Sequence, residues 1–312
     1  MEFSRRRRTP LTIAGTVAVA ALLAAVLAGR RAEFTHALSS VSIAVLAGTA
    51  LLQVVALVSR SEAWHLTIEA AGGRVTRRVL YRASSFQVLG GVLNGHLGVA
   101  ARIAALRRSS PDTCPQVPTL VAAEFPILTV EAMLAAAASF TLVVPLGLPW
   151  WLPLVVLAVV ALVSAGLRQL ALRKGRELWR GLAVLRTFGG GSRVVGFVLI
   201  AVFAQILRNW ILLRAVGVDA SLLDATAVLI AVVTLGQLPV GPAVGAAAAV
   251  LILGHDGVAA AAAGGLLLTV TGTLGGLCFV IWAGADHLWS AARRAQMGDT
   301  RVTPRPARPP AQ

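Results

Sequence analysis

Residues 234–253 read TLGQLPVGPAVGAAAAVLIL, an apolar run that is interrupted by Pro239, Gly241, Pro242 and Gly245. Proline and glycine break helices, and the hydrocarbon of a bilayer tolerates a broken helix only where protein or water surrounds the freed backbone groups. The stretch therefore predicts either a binding site or a packing joint between helices at membrane depth.

A second interrupted stretch lies in the first half of the chain. Residues 86–106 read FQVLGGVLNGHLGVAARIAAL, an apolar segment that contains Asn94, His96 and several glycines, among them Gly98. One interrupted segment in each half of a hydrophobic chain is typical of transporters, whose binding sites form at broken helices. We therefore expect the two stretches to converge around a hydrated cavity.

The composition is that of an integral membrane protein. Of 312 residues, 57% are hydrophobic and only 13% are charged, whereas soluble domains carry about 25% charged residues. The formal charge is +15, and the basic residues that produce it lie between the apolar runs. Since they form no nucleic-acid-binding motif, we predict no nucleic-acid partner. The two cysteines show no metal-ligand spacing, and no catalytic or cofactor motif occurs. We predict neither an enzyme nor a bound cofactor or metal.

Hydropathy predicts an all-α, polytopic helical bundle of about seven spans with two interrupted or re-entrant segments. The predicted spans are 11–28, 37–58, 119–144, 150–172, 194–216, 221–238 and 258–284. The membrane domain is therefore 11–285, between a basic N-terminus (1–10) and a basic, proline-rich tail (286–312) that we expect to be disordered. By the positive-inside rule, both termini are cytoplasmic.

Two features of this topology involve the interrupted segments. Arg82 precedes the first segment and Arg107 follows it, which favours a re-entrant hairpin over a crossing. After 221–238 returns to the cytoplasm, a cytoplasmic tail requires one further crossing. Either 240–253 crosses as a short half-helix, which reaches only about 21 Å, or 258–284 consists of two tilted fragments broken at its glycines. The sequence leaves both alternatives open.

Ionisable residues at membrane depth are costly and therefore informative. Arg102 either binds a lipid phosphate through bidentate hydrogen bonds or snorkels to the interface. Glu124 and Glu131 are seven residues apart on one helix face, and Pro126 between them predicts a kink. Glu124 either pairs with Arg102 or contacts a cationic head group. Glu131 either has a function or is a neutral carboxyl in a helix interface.

Three further polar groups have two interpretations each. Gln205, Arg208 and Asn209 form one polar stripe at i, i+3 and i+4, which either lines a substrate path or makes interhelical contacts. Asn94 and His96 either bind a ligand from the unwound hairpin or cap its half-helices. Trp64 fits an interfacial anchor, and we expect the helix to continue past residue 58 until Gly72 and Gly73 end it. The glycines at 265, 272 and 276 predict close helix packing.

Two motifs carry a family resemblance. GGVLNGHLGVAAR falls on the pattern N-N-x-x-P-x-R-x-G-[DE]-x-x-R and matches it at Gly98 and Arg102. LPVGPAVGAAAA falls on L-P-x-x-P-G-G-x-G-x-x-E, keeping Pro239 and Pro242 but placing Ala249 where the pattern has an acid. Over about 10–285, the chain resembles the flippase-like membrane domain of lysylphosphatidylglycerol synthases. Glu124 stands in the place of that family's V-E-R-like signature.

The resemblance implies a protein of the bacterial cell membrane that binds, and translocates, the head groups of phospholipids, aminoacylated phospholipids or polyprenyl-linked lipids. Membrane lipid is then the partner. The acid missing at Ala249 and the altered first motif favour an alternative, a non-transporting accessory subunit of a membrane glycosyltransferase or aminoacyl-lipid synthase. A lipid-modifying enzyme or a second copy of the chain is then a further partner.

Overall fold

The computed structural model describes residues 21, 25, 28–93, 95–172, 180–186, 188–235, 244–254 and 257–299. Within these ranges, the side chains at 92, 93, 95, 96, 170, 171, 186, 188 and 286–299 are not described. Most of the predicted span 11–28 and most of the second interruption therefore lie outside the described residues.

The described chain is helical throughout its regular structure and contains no strand in these ranges. The α-helices are α1 Arg31–Ser39, α2 Ile43–Ala70, α3 Arg77–Leu93, α4 Gly95–Ser109, α5 Val117–Ala122, α6 Phe125–Ala138, α7 Val143–Leu146, α8 Leu152–Leu172, α9 Phe188–Ala215, α10 Leu222–Leu235, α11 Val244–Leu253 and α12 Val258–Asp299. Two 3₁₀ turns, Ser139–Leu142 and Ala183–Arg186, lie between them.

Among the described residues, five helical stretches are long and apolar enough to cross a membrane. They are Ile43–Ala70, Val117–Leu146, Leu152–Gln169, Gly189–Ala215 and Val258–Ala285. These stretches confirm the prediction of a helical protein built for the bilayer. The apolar helices α10 and α11 are shorter, with 14 and 10 residues.

The antiparallel pair α2 and α9 forms the centre of the bundle. Ala56 on α2 packs against Ala201 and Ala204 on α9, and such small side chains let helix backbones approach closely. Trp64, beyond Ala56 on α2, shares a buried cluster with Val194, which precedes Ala201 on α9. The later part of α2 thus packs on the earlier part of α9, and separate hydrophobic clusters form at the two ends of the pair.

The helix α2 is longer than the predicted span 37–58. It starts after Ser42, whose hydroxyl accepts a hydrogen bond from the Val45 amide at 3.3 Å, and it ends at Ala70 before Gly72 with φ +91°. The helix therefore continues up to the two glycines, as predicted. Trp64 is fully buried, so its assignment as an interfacial anchor is wrong: tertiary packing covers the ring on every side.

The first interrupted stretch folds as two helices, α3 and α4, that pack against each other. Near the turn the contact is backbone to backbone, because a Cβ on Gly98 would lie 2.6 Å from the Gln87 carbonyl oxygen. At the far end, the Arg74 amide donates to the Thr113 carbonyl at 3.0 Å. Both ends of this hairpin therefore lie at the same end of the bundle.

The third predicted span, 119–144, is interrupted where its proline requires it. Pro126 has no amide hydrogen, so the carbonyl of Ala122 loses its helical partner. The chain leaves the α-helix at Ala123 and Glu124 and resumes it at Phe125. The kink predicted at Pro126 is confirmed, and it places the carboxylate of Glu124 at the break.

The last helix, α12, is continuous over 42 residues, so the alternative of two tilted fragments in 258–284 is wrong. Its glycines serve close packing instead, because a Cβ on Gly265 would collide with the backbone of Gly245 and Ala246 on α11. A turn at Gly257, with φ +131°, joins α11 to α12. The helix extends to Asp299, and the rest of the predicted tail lies outside the described residues.

Candidate functional site

An open cavity of about 330 Å³ lies between four helices. Its wall is formed by Gln53 from α2, Val88 and Gly91 from α3, Gln205 and Arg208 from α9, and Leu268, Thr269, Gly272 and Thr273 from α12. The first interrupted segment thus contributes to the wall beside two polar helix faces.

The cavity lies near the middle of three candidate membrane spans. Gln53 belongs to the span 43–70, Gln205 and Arg208 to 189–215, and Thr269 and Thr273 to 258–285. Each of these residues lies within about two turns of the midpoint of its helix. A polar cavity is therefore formed at a depth where unsatisfied polar groups are costly.

Arg208 is the cation of this cavity. Its Nη1 donates a hydrogen bond to the side-chain carbonyl oxygen of Gln53 on the facing helix. Gly272 leaves room for the guanidinium, because a Cβ there would lie 3.3 Å from Nη1. Within the described ranges, Arg208 forms no ion pair, and no carboxylate lies on the cavity wall. The polar groups that the described wall offers to its charge are all neutral.

The other polar groups of the wall are amides and hydroxyls. The Thr273 hydroxyl donates to the Thr269 carbonyl at 2.9 Å, and the Thr269 hydroxyl donates to the Gly265 carbonyl at 3.3 Å. Each hydroxyl thereby satisfies a helix carbonyl, and that of Thr273 keeps lone pairs for a further donor. Gln205 also faces the cavity, so its amide supplies both a donor and an acceptor.

The predicted polar stripe on α9 is divided by the fold. Gln205 and Arg208 line the cavity, whereas Asn209 is 1% exposed and buried in the bundle. Among the residues described, no hydrogen-bond donor reaches the Asn209 side-chain oxygen. The stripe therefore does not face lipid tails, and its first two residues, Gln205 and Arg208, face the space that a ligand could occupy.

Arg102, the other arginine of interest, lies in a closed environment. It is 1% exposed, pairs with Glu124 and stacks on Trp64, with Cζ 3.8 Å from the ring centroid. The pairing of Glu124 with Arg102 is therefore the arrangement found, and the alternative of a snorkelling Arg102 is wrong. Neither side chain lines the cavity, so in this conformation neither reaches a ligand there.

Glu131 also has a partner, at a distance of 2.9 Å from its carboxylate to Nη1 of Arg60. Arg60 lies within α2, one turn before Trp64, and was not a candidate because the sequence places it after the span ending at 58. Together with Arg102 and Glu124, these residues form a group of two cations and two anions. We call these four residues the charge cluster.

The two interrupted segments both contact α12. Val88 of α3 approaches Gly276, where an added Cβ would lie 2.9 Å from its side chain. Gly245, at the start of α11, packs on Gly265 and on Thr269, which belongs to the cavity wall. The start of α11 therefore lies next to the cavity, whereas Asn94, Pro239, Gly241, Pro242 and the side chain of His96 lie outside the described residues.

A second, smaller hollow of about 240 Å³ lies beside the base of the hairpin, next to Gly72, Cys114 and Arg180. Burial raises the pKa of the Cys114 thiol, and the nearby Arg107 opposes this shift. The reactive thiolate is thus disfavoured. In the described part of the chain, no three His, Cys, Asp or Glu side chains group as metal ligands. The hollow offers neither a nucleophile nor a metal site.

No family model, no curated protein and no solved structure matches this chain. The resemblance to the flippase-like domain therefore stays a prediction from the sequence motifs. Any function has to be inferred from the cavity, its charge and the course of the helices around it.

Proposed function

We propose that this protein binds the head groups of anionic membrane lipids in the cavity around Arg208 and carries them between the two leaflets of the cell membrane. One observation carries the proposal: a guanidinium near the middle of a span faces an open cavity on whose described wall no carboxylate lies. A charge at this depth is costly. An anionic ligand would supply the missing counter-charge and bidentate hydrogen bonds.

The distribution of basic residues supports an orientation for the bundle. Arginines surround the base of the hairpin, at 74, 77, 78, 82, 107 and 108. We call this side the basic end and assign it to the cytoplasm by the positive-inside rule. The helix α2 then runs inward and α9 outward, since the two are antiparallel.

In this orientation, the α3–α4 hairpin enters from the cytoplasm and turns back near the cavity. The short helices α10 and α11 form a matching pair from the opposite side. α10 begins just after α9 ends at Ala215, and α11 ends just before α12 begins at Val258. With 14 and 10 residues, they reach about 21 and 15 Å, less than the roughly 30 Å hydrocarbon core.

The proposed topology also gives a count of crossings that agrees with a cytoplasmic tail. If α10 and α11 enter and leave on the same side, neither has to cross. The predicted span 11–28 and the five long helical stretches then make six crossings, and both termini are cytoplasmic. Both interrupted segments are re-entrant in this arrangement.

The same topology supports movement of the ligand as well as binding. Residues 43–146 and 189–285 each contain a long helix, an interrupted pair and a second long stretch. Since their first helices, α2 and α9, are antiparallel, the two units are inverted relative to each other. Inverted repeats with a central site at broken helices are typical of alternating-access transporters.

The experiment uses the full chain in liposomes that contain a fluorescent short-chain phosphatidylglycerol. Binding is measured in micelles of a neutral detergent, and movement is measured by quenching the outer leaflet. The variant is Arg208→Ala. The matched control is Arg214→Ala, six residues further along α9, where a half-exposed arginine pairs with Asp219 at 3.0 Å.

We expect Arg208→Ala to weaken binding by at least about tenfold, because a hydrogen-bonded charge contributes roughly 1.5–3 kcal/mol, and to slow movement in parallel. Arg214→Ala should behave as the wild type. Unchanged binding in Arg208→Ala would exclude the cavity as the site. Binding without movement by the wild type would favour the non-transporting accessory function, which retention of a membrane enzyme by the tagged protein would then test.

A further inference from the structure

The described wall of the cavity carries positive charge only. Its wall contains one cation, Arg208, two amides, Gln53 and Gln205, and two hydroxyls, those of Thr269 and Thr273. The described wall carries no anion. A ligand that brings one negative charge is neutralised there, whereas one that brings an additional positive charge meets the guanidinium without a counter-ion.

The two carboxylates of the third predicted span, which the sequence makes candidates for a cationic head group, are already paired. Glu124 is held by Arg102 on the α4 side of the bundle, and Glu131 is held by Arg60. Both lie outside the cavity wall. Recruiting either of them would leave a buried arginine unpaired, at a high desolvation cost.

The hydrogen-bonding groups of the wall suit hydroxyl groups. The carbonyl oxygen of Gln53 accepts from Arg208, so the amide nitrogen of Gln53 remains a donor. The Thr273 hydroxyl donates to a helix carbonyl and so remains an acceptor, and the Gln205 amide on the same wall is both a donor and an acceptor. A polyol matches this mixture of donors and acceptors, because each of its hydroxyls is both.

The size of the cavity limits the ligand further. About 330 Å³ lies at the lower end of the roughly 300–1,000 Å³ range of small-molecule pockets. The space is sufficient for a phosphate with a small head group but not for acyl chains as well. Since the cavity is open, the chains of a lipid would remain outside it.

We propose that the cavity selects a phosphodiester with a hydroxylated, amine-free head group and discriminates against head groups that carry an ammonium or an aminoacyl group. This inference rests on the proposed function and narrows its substrate class. The shared chemistry is that of a glycerophosphoglycerol unit, whether it is part of a lipid or free in water.

The experiment measures binding by the full chain in neutral detergent micelles with four probes. They are short-chain phosphatidylglycerol, its lysyl ester, phosphatidylcholine of the same chain length and free glycerophosphoglycerol. We expect the lysyl ester and phosphatidylcholine to bind at least about tenfold more weakly than phosphatidylglycerol. Competition by free glycerophosphoglycerol would show that the head group alone is recognised, and its failure to compete would assign recognition to the lipid form; both agree with the proposed selectivity.

A charge-reversal variant gives a second readout. Gln205→Glu places a carboxylate beside Arg208 with little change in shape, so binding of phosphatidylglycerol should fall by about tenfold and the preference over the lysyl ester should disappear. Ser192→Glu is the control, because it places the same charge on an exposed position of α9, away from the cavity wall.

Different results would contradict the proposed selectivity and the proposed function. If the wild type binds phosphatidylglycerol and its lysyl ester equally, and Arg208→Ala weakens both, the selectivity is wrong and the proposed function stands. If Gln205→Glu leaves the ratio of the two affinities unchanged, the selectivity is likewise wrong. If no lipid probe binds to the wild type, both proposals are wrong.

Discussion

Arg102 and Arg208 are two arginines of the same membrane domain in opposite environments. Arg102 is 1% exposed, pairs with Glu124 and stacks on Trp64. Arg208 faces an open cavity, and its hydrogen-bond partner in the described part of the chain is the neutral amide of Gln53. The comparison separates a charge that holds helices together from a charge that is available to a ligand.

Arg102 joins three elements, since its own helix α4 meets Trp64 on α2 and Glu124 at the break before α6. A buried pair of this kind contributes little net free energy, but removing one partner leaves an uncompensated charge. Replacing Arg208 by a neutral residue, in contrast, leaves no described carboxylate without a partner. The two side chains should therefore respond oppositely in stability and in ligand binding.

The largest effect on stability is expected for Arg102→Ala. The substitution strands the Glu124 carboxylate in a buried site and should lower the free energy of unfolding by about 3–5 kcal/mol. Denaturant titration of the full chain in detergent micelles measures this loss. A change below about 1 kcal/mol would show that water reaches the pair and would contradict the structural role.

The double variant Arg102→Met, Glu124→Leu is the control for this loss. Both charges are removed and the volume is largely kept, so most of the stability lost in Arg102→Ala should return, as for other buried pairs that are replaced by apolar residues. If the double variant is as unstable as the single one, the cost comes from packing against Trp64 and not from the unpaired charge.

A smaller effect is expected for Arg60→Ala, which removes the other cation of the charge cluster. The side chains of Arg60 and Glu131 are 33% and 25% exposed, so the carboxylate left behind is less enclosed than that of Glu124. We expect a loss of about 1 kcal/mol, clearly below that of Arg102→Ala in the same titration. Equal losses for the two variants would show that the four charges act as one unit and not as two pairs.

The sequence was sufficient to predict the helical membrane class, the kink at Pro126 and the continuation of α2 to its glycines. Each of these follows from local properties. Hydropathy predicts the class, the missing amide hydrogen of Pro126 predicts the kink, and the glycines, which adopt a positive φ easily, predict the end of α2. The pairing of Glu124 with Arg102 was one of two open alternatives, because a charge on one helix does not specify which neighbour will face it.

The sequence did not predict the environments that depend on contacts between distant elements. Trp64 is a residue type typical of interfacial anchors, yet its ring is buried beneath the guanidinium of Arg102. Arg60 lies beyond the predicted span 37–58, and nothing in the sequence shows that the continued helix brings it to Glu131. Gln53 was no candidate at all, and only the contact of α2 with α9 places it beside Arg208.

The smallest effect on stability is expected for Arg208→Ala in the absence of lipid. The loss of one hydrogen bond to Gln53 is offset by relief from a poorly solvated charge, so the free energy of unfolding should stay within about 1 kcal/mol of the wild type. Added phosphatidylglycerol separates the two proteins. At a concentration of about 100 times the dissociation constant, the wild type should gain roughly 2.7 kcal/mol, and Arg208→Ala should gain much less.

The folded double variant at Arg102 and Glu124 should gain as much as the wild type, because its cavity is intact. If phosphatidylglycerol stabilises Arg208→Ala fully and the double variant not at all, the roles of the two arginines have been assigned the wrong way round.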